Sequence, residues 1–236
     1  MKYKIADFKW DIDEKYNTLQ KEGEDYLAQF DSADFSISIT EHDLLIENSL
    51  SEFPCKKDYL EYIAVLRKIG EIIPLYDGFV LHGACVDVEN TGFVLLAPSG
   101  TGKTTHLLSW QSYLKEKLCI VNGDKPIVRF IEDKPIAFGT PWKGKEKLGK
   151  NTKTELKHLC FIERSDTNFT EEITKEQAIK RILNQVYMPR TNPMATAKTI
   201  ELVDRLLASC KLWVIHCNLD KNAGEIAYKT IATKKD

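Results

Sequence analysis

The chain has 236 residues, 43% hydrophobic and 29% charged, a composition typical of one globular domain with a small appendage. Its 33 basic and 35 acidic residues give a formal net charge of -2, which excludes a strong overall attraction to nucleic acid or an anionic membrane. No stretch reaches the roughly twenty apolar residues of a membrane span, and the first residues lack the apolar run of a signal peptide. We therefore expect a cytoplasmic protein whose six scattered cysteines stay reduced.

The N-terminal part carries no chemical motif, and residues 1 to about 55 are interpreted as β-rich. Residues 35–40 alternate apolar and polar side chains at the two-residue period of a half-buried strand. Asp58 is placed to cap a helix with apolar side chains at helical spacing, and Pro74 would end that helix. The sequence thus predicts a small β-rich region with a connecting helix over residues 1–75.

From residue 76 onward the pattern becomes that of an α/β nucleotide-binding domain, predicted over residues 76–236. Apolar runs at 79–81, 93–96 and 118–121 are typical of strands covered on both faces. A helical pattern at 104–117 separates the last two runs, which is the strand, loop, helix and strand order of a mononucleotide-binding unit. The other predicted elements are a hairpin turn at 89–92, strands at 127–131, 159–162 and 212–215, and helices at 174–187, 195–209 and from about 222.

The strongest motif is APSGTGKT at 97–104, which follows an apolar run and precedes the helical pattern. Its glycines let backbone N–H groups turn toward phosphate oxygens. Lys103 would contact the β and γ phosphates, and the Thr104 hydroxyl would bind Mg²⁺ at the helix N-terminus. Ala97 stands where the consensus has glycine, which is a mild departure. The predicted nucleotide-binding residues are Pro98, Ser99, Gly100, Thr101, Gly102, Lys103, Thr104 and Thr105.

A nucleotide site of this kind also needs an acidic residue at the end of a neighbouring strand, which holds the Mg²⁺ shell. Asp124 fits, because it follows an apolar strand that is expected to end beside the loop after the crossover helix. The alternative is a turn residue, since Asn-Gly-Asp is also turn chemistry. The sequence thus predicts ATP and Mg²⁺ as ligands, with Thr104 and Asp124 on the metal.

Three segments together resemble the HPr serine kinase-like proteins, whose core is shared with phosphoenolpyruvate carboxykinase. LHGACVDV at 81–88 precedes the loop, APSGTGKTTH at 97–106 contains it, and IVNGDKPIVRF at 120–130 looks like the family's metal-binding strand end. The resemblance covers about residues 79–217 and leaves out the N-terminal region. It implies an α/β fold with a P-loop kinase core of this type and a mixed sheet.

Carried over onto this sequence, the resemblance implies three catalytic residues, His82, Lys103 and Asp124, with His82 near the transferred phosphate. One departure concerns the base, because the family's kinases have two adjacent acids where this chain has Gly123 and Asp124. The missing acid resembles the family's catalytic base. His82 could take that role, since an imidazole with a pKa near neutrality can accept a hydroxyl proton. The alternative is a buried histidine satisfied by hydrogen bonds.

Two further segments offer candidate substrate contacts. The loop at 137–151 combines glycines with lysines and is predicted to be a substrate or nucleotide lid. In it Trp142 would offer apolar surface, Lys145 an anion contact and Glu146 a second acid near the metal. The alternative is a solvated basic loop. Arg190 could stabilise phosphate charge after a predicted helix, or simply lie on the surface.

These observations predict an ATP-dependent kinase that phosphorylates a serine or other hydroxyl of a peptide, small protein or metabolite. Two alternatives stay open: a carboxykinase-like enzyme, because the core is shared, and a non-catalytic ATP-binding sensor or scaffold, because the second acid is absent. We expect no nucleic-acid or membrane partner and leave assembly into a homo-oligomer open. The loop contacts phosphates and not the base, so ATP, GTP, ADP and pyrophosphate all stay possible donors.

Overall fold

The computed structural model describes residues 1–51, 53–218, 220 and 222–233, which form two β-sheets and the helices packed against them. The N-terminal elements are β1 (Lys2–Ile5), β2 (Phe8–Asp13), α1 (Thr18–Glu22), β3 (Phe35–Ser38), α2 (Glu41–Leu50) and α3 (Lys57–Ile72). They are followed by β4 (Gly78–Val80), β5 (Ala84–Val88), β6 (Thr91–Leu96), α4 (Lys103–Leu114), β7 (Leu118–Asn122), β8 (Ile127–Ile131), β9 (Lys134–Phe138), β10 (Lys153–Arg164), β11 (Phe169–Glu172), α5 (Lys175–Ile182), α6 (Pro193–Ser209), β12 (Lys211–Cys217) and α7 (Ala223–Thr233).

The N-terminal region is less purely β than its sequence pattern suggests. Its sheet has the order β1-β2-β3, with β1 antiparallel and β3 parallel to β2. The alternating pattern at 35–40 stops at Ser38, because Thr40 caps α2 through a reciprocal pair of hydrogen bonds with Asp43. The three helices α1, α2 and α3 therefore accompany the three strands.

Helix α3 begins and ends close to the predicted positions. Its N-cap is Lys56, and Asp58 lies in the first turn, where an acidic side chain is favourable without being the cap. The helix ends at Ile72, and Pro74 lies in the short 3₁₀ turn that follows. The left-handed conformation of Asp77 then leads the chain into β4.

The large sheet is mixed, as expected for the α/β class. Its strand order is β4-β8-β9-β10-β6-β5-β7. In addition, β12 pairs with β10, and β11 pairs with β12. The long strand β10 joins its two halves. Its first residues pair antiparallel with β9, and its later residues pair parallel with β6 and β12. Strand β6 therefore lies inside the sheet, so its end is flanked by strands on both sides.

Strand β7 does not lie beside β6, contrary to the expectation from a simple mononucleotide-binding unit. Strand β5 lies between them and is antiparallel to both. The two-residue turn at Glu89 and Asn90, both with positive φ, makes β5 and β6 a tight hairpin, so β5 takes the neighbouring position. The crossover through α4 therefore skips one strand.

Helices cover both faces of this sheet, which accounts for the dense apolar runs. On one face Leu96, Val94 and Phe161 belong to a core cluster shared with α5 and α6, and on the other Phe93 and Leu95 join one shared with α4 and α7. Within the described residues, no helix is long and apolar enough to cross a membrane.

The N-terminal region packs directly against the large sheet. One apolar cluster contains Trp10 of β2 and Ile69 of α3 together with Val80, Ile127 and Trp142 from the rest of the chain. This packing holds α3 in a fixed position beside the edge of the sheet where β7 ends.

Two strands of the large sheet were not expected from the sequence. β9 pairs with β8 across a turn at Glu132 and Asp133, both with positive φ, and this turn contains no glycine to announce it. β11 is a polar and mostly exposed strand that pairs only with β12. Neither strand has the apolar alternation by which strands are usually recognised.

Candidate functional site

The three segments singled out in the sequence meet at one edge of the large sheet. The 97–104 loop follows the end of β6, and Asp124 follows the end of β7. His82 precedes β5, and because β5 runs antiparallel to its neighbours, the start of β5 lies at the same edge. Topology thus brings His82 together with the loop and with Asp124.

A cleft of 670 Å³ opens at this edge. A volume of this size lies within the range of about 300–1,000 Å³ that small-molecule sites typically have. Its walls come from the 97–104 loop, the strand ends, the 139–151 loop and helix α3. The sequence-predicted residues that line it are His82, Pro98, Ser99, Gly100, Gly102, Lys103, Thr104, Thr105, Asp124, Trp142, Lys145 and Glu146.

The 97–104 loop has an open cradle. Gly100 and Gly102 have φ of 76° and 112°, conformations that L side chains rarely adopt. A Cβ at either position would meet nothing within 4 Å, so the space in front of both residues is free. Helix α4 begins at Lys103 with no side-chain cap, which leaves the N–H groups of its first turn available to an anion.

Lys103 carries the least satisfied charge of the cleft. It is 8% exposed, and its Nζ has no hydrogen-bond partner among the described residues. Its ion-pair contact is with Asp124 Oδ1 at 3.9 Å. Burial lowers the pKa of Lys103 to about 8. A buried ammonium without hydrogen bonds is unfavourable, and an anion in the cradle would relieve that cost.

Asp124 is ionised and surrounded by cationic and polar groups. Its Oδ1 lies 3.2 Å from His82 Nε2, and Lys125 Nζ lies 3.3 Å away. Burial alone would raise the pKa of Asp124, but the hydrogen bond from His82 and the charges of Lys125 and Lys103 outweigh it and lower the pKa to about 2. The carboxylate is therefore a weak base and a suitable cation ligand.

His82 is neutral and oriented. The hydrogen bond to Asp124 favours the protonated ring, but burial and the charges of Lys125 and Lys103 outweigh it and lower the pKa of His82. Because an ionised Asp124 can only accept, His82 Nε2 carries the proton, and the lone pair is on Nδ1. The His82 backbone N–H donates to the Gln185 carbonyl at 2.6 Å. The side chain is 29% exposed and lines the cleft, so it is only partly buried.

The turn that carries Asp124 is held by Asn122, which the sequence argument did not single out. The Asn122 side-chain oxygen accepts from the backbone N–H groups of Asp124 and Lys125, at 2.9 and 2.7 Å. Its amide nitrogen donates to Thr140. Asn122 thus holds the backbone of residues 122–125 in a turn, and the Asp124 carboxylate in this turn lines the cleft.

The predicted lid is tied to the rest of the protein at several points. Trp142 is 3% exposed, stacks on Tyr62 and donates from Nε1 to the Tyr62 carbonyl, so it does not offer the expected exposed apolar surface. Lys145 and Glu146 are exposed at the cleft. Gly144, at φ 80°, lies so close to Asp124 that a Cβ there would be 3.0 Å from the Asp124 Cβ.

Helix α3 forms a wall of the cleft that sequence reasoning missed. Tyr59, Tyr62, Ile63 and Leu66 line it, and their spacing of three, four and seven residues is that of one helix face. This spacing was visible in the sequence, but nothing there showed that the face would meet the 97–104 loop. The N-terminal region therefore contributes directly to the cleft.

Two predicted site residues do not line the cleft. Thr101 lines a neighbouring cavity, and Arg190 lies elsewhere. The Arg190 backbone N–H donates to Glu71 of α3, and its side chain is exposed. Among the described residues, no group of three or more His, Cys, Asp or Glu side chains could hold a metal ion alone. A cation in the cleft would therefore need ligands from Thr104, Asp124, water and a bound phosphate, which is typical of Mg²⁺.

No protein-family model matches the chain, and no curated protein matches it in sequence. Among solved structures, it is similar to the Hpr(Ser) kinase/phosphatase from Coxiella burnetii, with 12% sequence identity and a TM-score of 0.29. The match covers 54% of this chain and 96% of the other. Because the overlap is this loose, the function must be inferred from the cleft itself.

Proposed function

We propose that this protein binds a Mg²⁺-nucleoside triphosphate in the cleft and transfers its γ-phosphoryl group to a hydroxyl of a peptide, small protein or metabolite. The observation that carries the proposal is the buried Lys103 ammonium, which lacks a hydrogen-bond partner among the described residues and faces an open glycine cradle. A folded protein tolerates such a charge most readily where a ligand satisfies it.

The phosphates would bind at the start of α4. The uncapped N–H groups at the start of the helix would be available to such an anion, and Lys103 would add a positive charge. Phosphoryl transfer needs mainly positioning and charge stabilisation, which these groups supply.

The Mg²⁺ would be held by the Thr104 hydroxyl and the Asp124 carboxylate, both of which line the cleft. When bound, the ion neutralises charge on the transferred phosphoryl group. The low pKa of Asp124, about 2, keeps the carboxylate ionised at every pH at which the protein would work.

His82 is the proposed base. The acceptor hydroxyl would give its proton to Nδ1 as its oxygen forms the new bond to phosphorus and the bond to the nucleoside diphosphate breaks. The lowered pKa of His82 keeps the ring neutral and ready to accept near pH 7. Asp124 would then stabilise the imidazolium through Nε2, 3.2 Å away.

The space for a side chain at position 123 is tight. A Cβ on Gly123 would lie 3.0 Å from the Leu148 carbonyl oxygen and 3.1 Å from that of Lys143. This observation supports His82 as the base, because an acid at position 123 would require the neighbouring backbone to move. It equally favours the second candidate function, an ATP-binding sensor or scaffold without phosphoryl transfer.

The test is phosphoryl transfer from γ-labelled ATP, with Mg²⁺, to peptides encoded near the gene and to small hydroxyl metabolites. We expect labelled product and ADP with the natural chain and with Lys117→Met, an exposed control far from the cleft. Lys103→Met should lower the yield of both by about 10²–10³-fold. Saturable ATP binding without ADP formation, with all acceptors present, would instead establish the sensor. Undiminished transfer by Lys103→Met would refute the proposal.

A further inference from the structure

A second cavity of 380 Å³ lies on the other side of strand β6 from the cleft. It borders the 97–104 loop at Ala97, Pro98 and Thr101 and is closed by the end of β10 and by residues 180–185. The cleft lies on the β5 and β7 side of β6, whereas β10 pairs with the opposite side. The same loop therefore separates two cavities, and Pro98 lines both.

The cavity is built like a small-molecule site. Leu96, Phe161 and Ile162 give it apolar walls, each at most 3% exposed. Gln185 also lines it, at 5% exposure, and its Oε1 has no hydrogen-bond partner among the described residues. A buried amide oxygen without a hydrogen bond is costly unless a ligand donates to it. Apolar walls with one or two polar groups are the usual composition of a ligand pocket.

Arg164 closes the cavity toward the loop. Its guanidinium donates to the carbonyl oxygens of Gly100 and Thr101, at 2.5 and 3.4 Å. Arg181 at the rim is neutralised by Glu163, 2.8 Å away. Arg164 therefore fixes the loop and offers a planar surface against which an aromatic ring can stack.

We propose that this cavity binds the purine base of the nucleotide whose phosphates the 97–104 loop holds. The inference rests on the proposed function. The γ-phosphate must lie beside Asp124 and His82, so the nucleoside end of the phosphate chain points away from them and toward β10. A purine has apolar faces and a polar edge with both donors and acceptors, and the Gln185 amide can pair with that edge.

The molecule that accepts the phosphoryl group would not bind in this cavity. It must approach the γ-phosphate in line with the departing diphosphate, from the side of His82. The cleft wall formed by Tyr59 and its neighbours on α3 stays free for it. The base and the acceptor thus occupy different cavities, which adjoin where the His82 backbone N–H donates to the Gln185 carbonyl.

The experiment is calorimetric titration of the full chain with Mg²⁺-ATP and with Mg²⁺-tripolyphosphate, which lacks the nucleoside. The natural protein should bind ATP about tenfold more tightly than tripolyphosphate, as one paired base edge provides. Two variants test the cavity: Gln185→Leu keeps a similar volume, and Asn184→Trp blocks the exposed mouth of the cavity. Each should bring the ratio of the two affinities close to one and leave the affinity for tripolyphosphate unchanged. Tyr59→Ala, across β6, should keep the ratio.

Several outcomes would overturn the inference. A ratio of one in the natural protein, or a ratio unaltered by both Gln185→Leu and Asn184→Trp, would mean that the base lies outside this cavity. Loss of the ratio in Tyr59→Ala alone would place the base against α3. In each case retained tripolyphosphate binding leaves the proposed function standing, whereas absence of binding by either compound would remove the proposed function as well.

Discussion

Between helices α2 and α3 every charge of a buried cluster is hydrogen-bonded, whereas in the cleft the Lys103 ammonium has no hydrogen bond from the described residues. Arg67 donates to both Asp43 and Glu47, and Lys68 lies 2.8 Å from the second oxygen of Asp43. In the cleft, the ion-pair contact of Lys103 is with the more distant Asp124, at 3.9 Å, and no hydrogen bond to Lys103 Nζ occurs in the described part of the chain.

Both clusters combine basic and acidic side chains. They differ in whether those side chains satisfy one another's hydrogen bonds. Burial would raise the pKa of Asp43, but hydrogen bonds from Lys68, Thr40 and Arg67 hold it well below its usual range. The pKa of Lys103 moves in the unfavourable direction for its charge, down to about 8. A cluster completed by its own side chains stabilises the fold, and an incomplete one is prepared for a ligand.

The largest expected effect is at Lys103, where a substitution should lower activity without lowering stability. Lys103→Met should lower phosphoryl transfer by about 10²–10³-fold, the cost of losing one strong charge-stabilising group. The same variant should not lower the thermal unfolding temperature, because it removes a buried charge without a hydrogen bond. Transfer assays and calorimetric melting measure the two effects. A large drop in melting temperature would contradict the comparison.

The opposite result is expected at Arg67. Arg67→Met leaves Asp43 and Glu47 buried without their shared partner and should reduce the free energy of unfolding by about 3 kcal/mol. Urea unfolding monitored by circular dichroism gives this value. Nucleotide affinity of the folded variant, measured without denaturant, should stay within about twofold of the natural protein, because Arg67 does not line the cleft. A loss of nucleotide affinity with unaltered stability would instead assign Arg67 to ligand binding and not to the fold.

A smaller effect should appear with pH. The free protein loses the Lys103 proton as the pH rises through about 8, whereas a bound polyphosphate would keep that lysine protonated. Tripolyphosphate affinity should therefore be full below pH 8 and fall by up to about tenfold per pH unit above it. Titrations between pH 7 and 10 test the slope. Lys103→Met should show no such fall, and an equal slope in both proteins would assign the titration to another group.

The smallest effect is expected at Glu146. Its side chain is exposed at the cleft, so Glu146→Gln should alter nucleotide affinity by no more than about twofold, a value typical of surface charges. Competition binding at several Mg²⁺ concentrations measures it. A loss of about tenfold that added Mg²⁺ reverses would make Glu146 a metal ligand, as first predicted.

The sequence predicted those segments of the cleft that carry a short sequence pattern of their own. The 97–104 loop, the hairpin turn before it and Asp124 are recognised from short stretches of chain, because glycines and turn residues report backbone geometry directly. The end of β7 lies beside the loop, but the sequence did not predict that β5 lies between β6 and β7, since neighbour order depends on the β5–β6 hairpin and not on the crossover alone.

The unpredicted parts of the cleft depend on long-range packing. The α3 face and Gln185 are far from the loop in sequence, and only the folded chain shows that they border it. Trp142 was expected at the surface because it lies in a basic, glycine-rich segment, yet Tyr62 covers it. Lys125 was missed although it directly follows Asp124, because a lysine beside a turn has no distinctive pattern.

The tight space at Gly123 couples that position to the path of the 139–151 loop. A Cβ there would lie 3.0 Å from the Leu148 carbonyl oxygen and 3.1 Å from that of Lys143, so a side chain could enter only if this backbone moved by a few tenths of an ångström. A carboxylate at position 123 would therefore shift the same loop that brings Lys145 and Glu146 to the cleft.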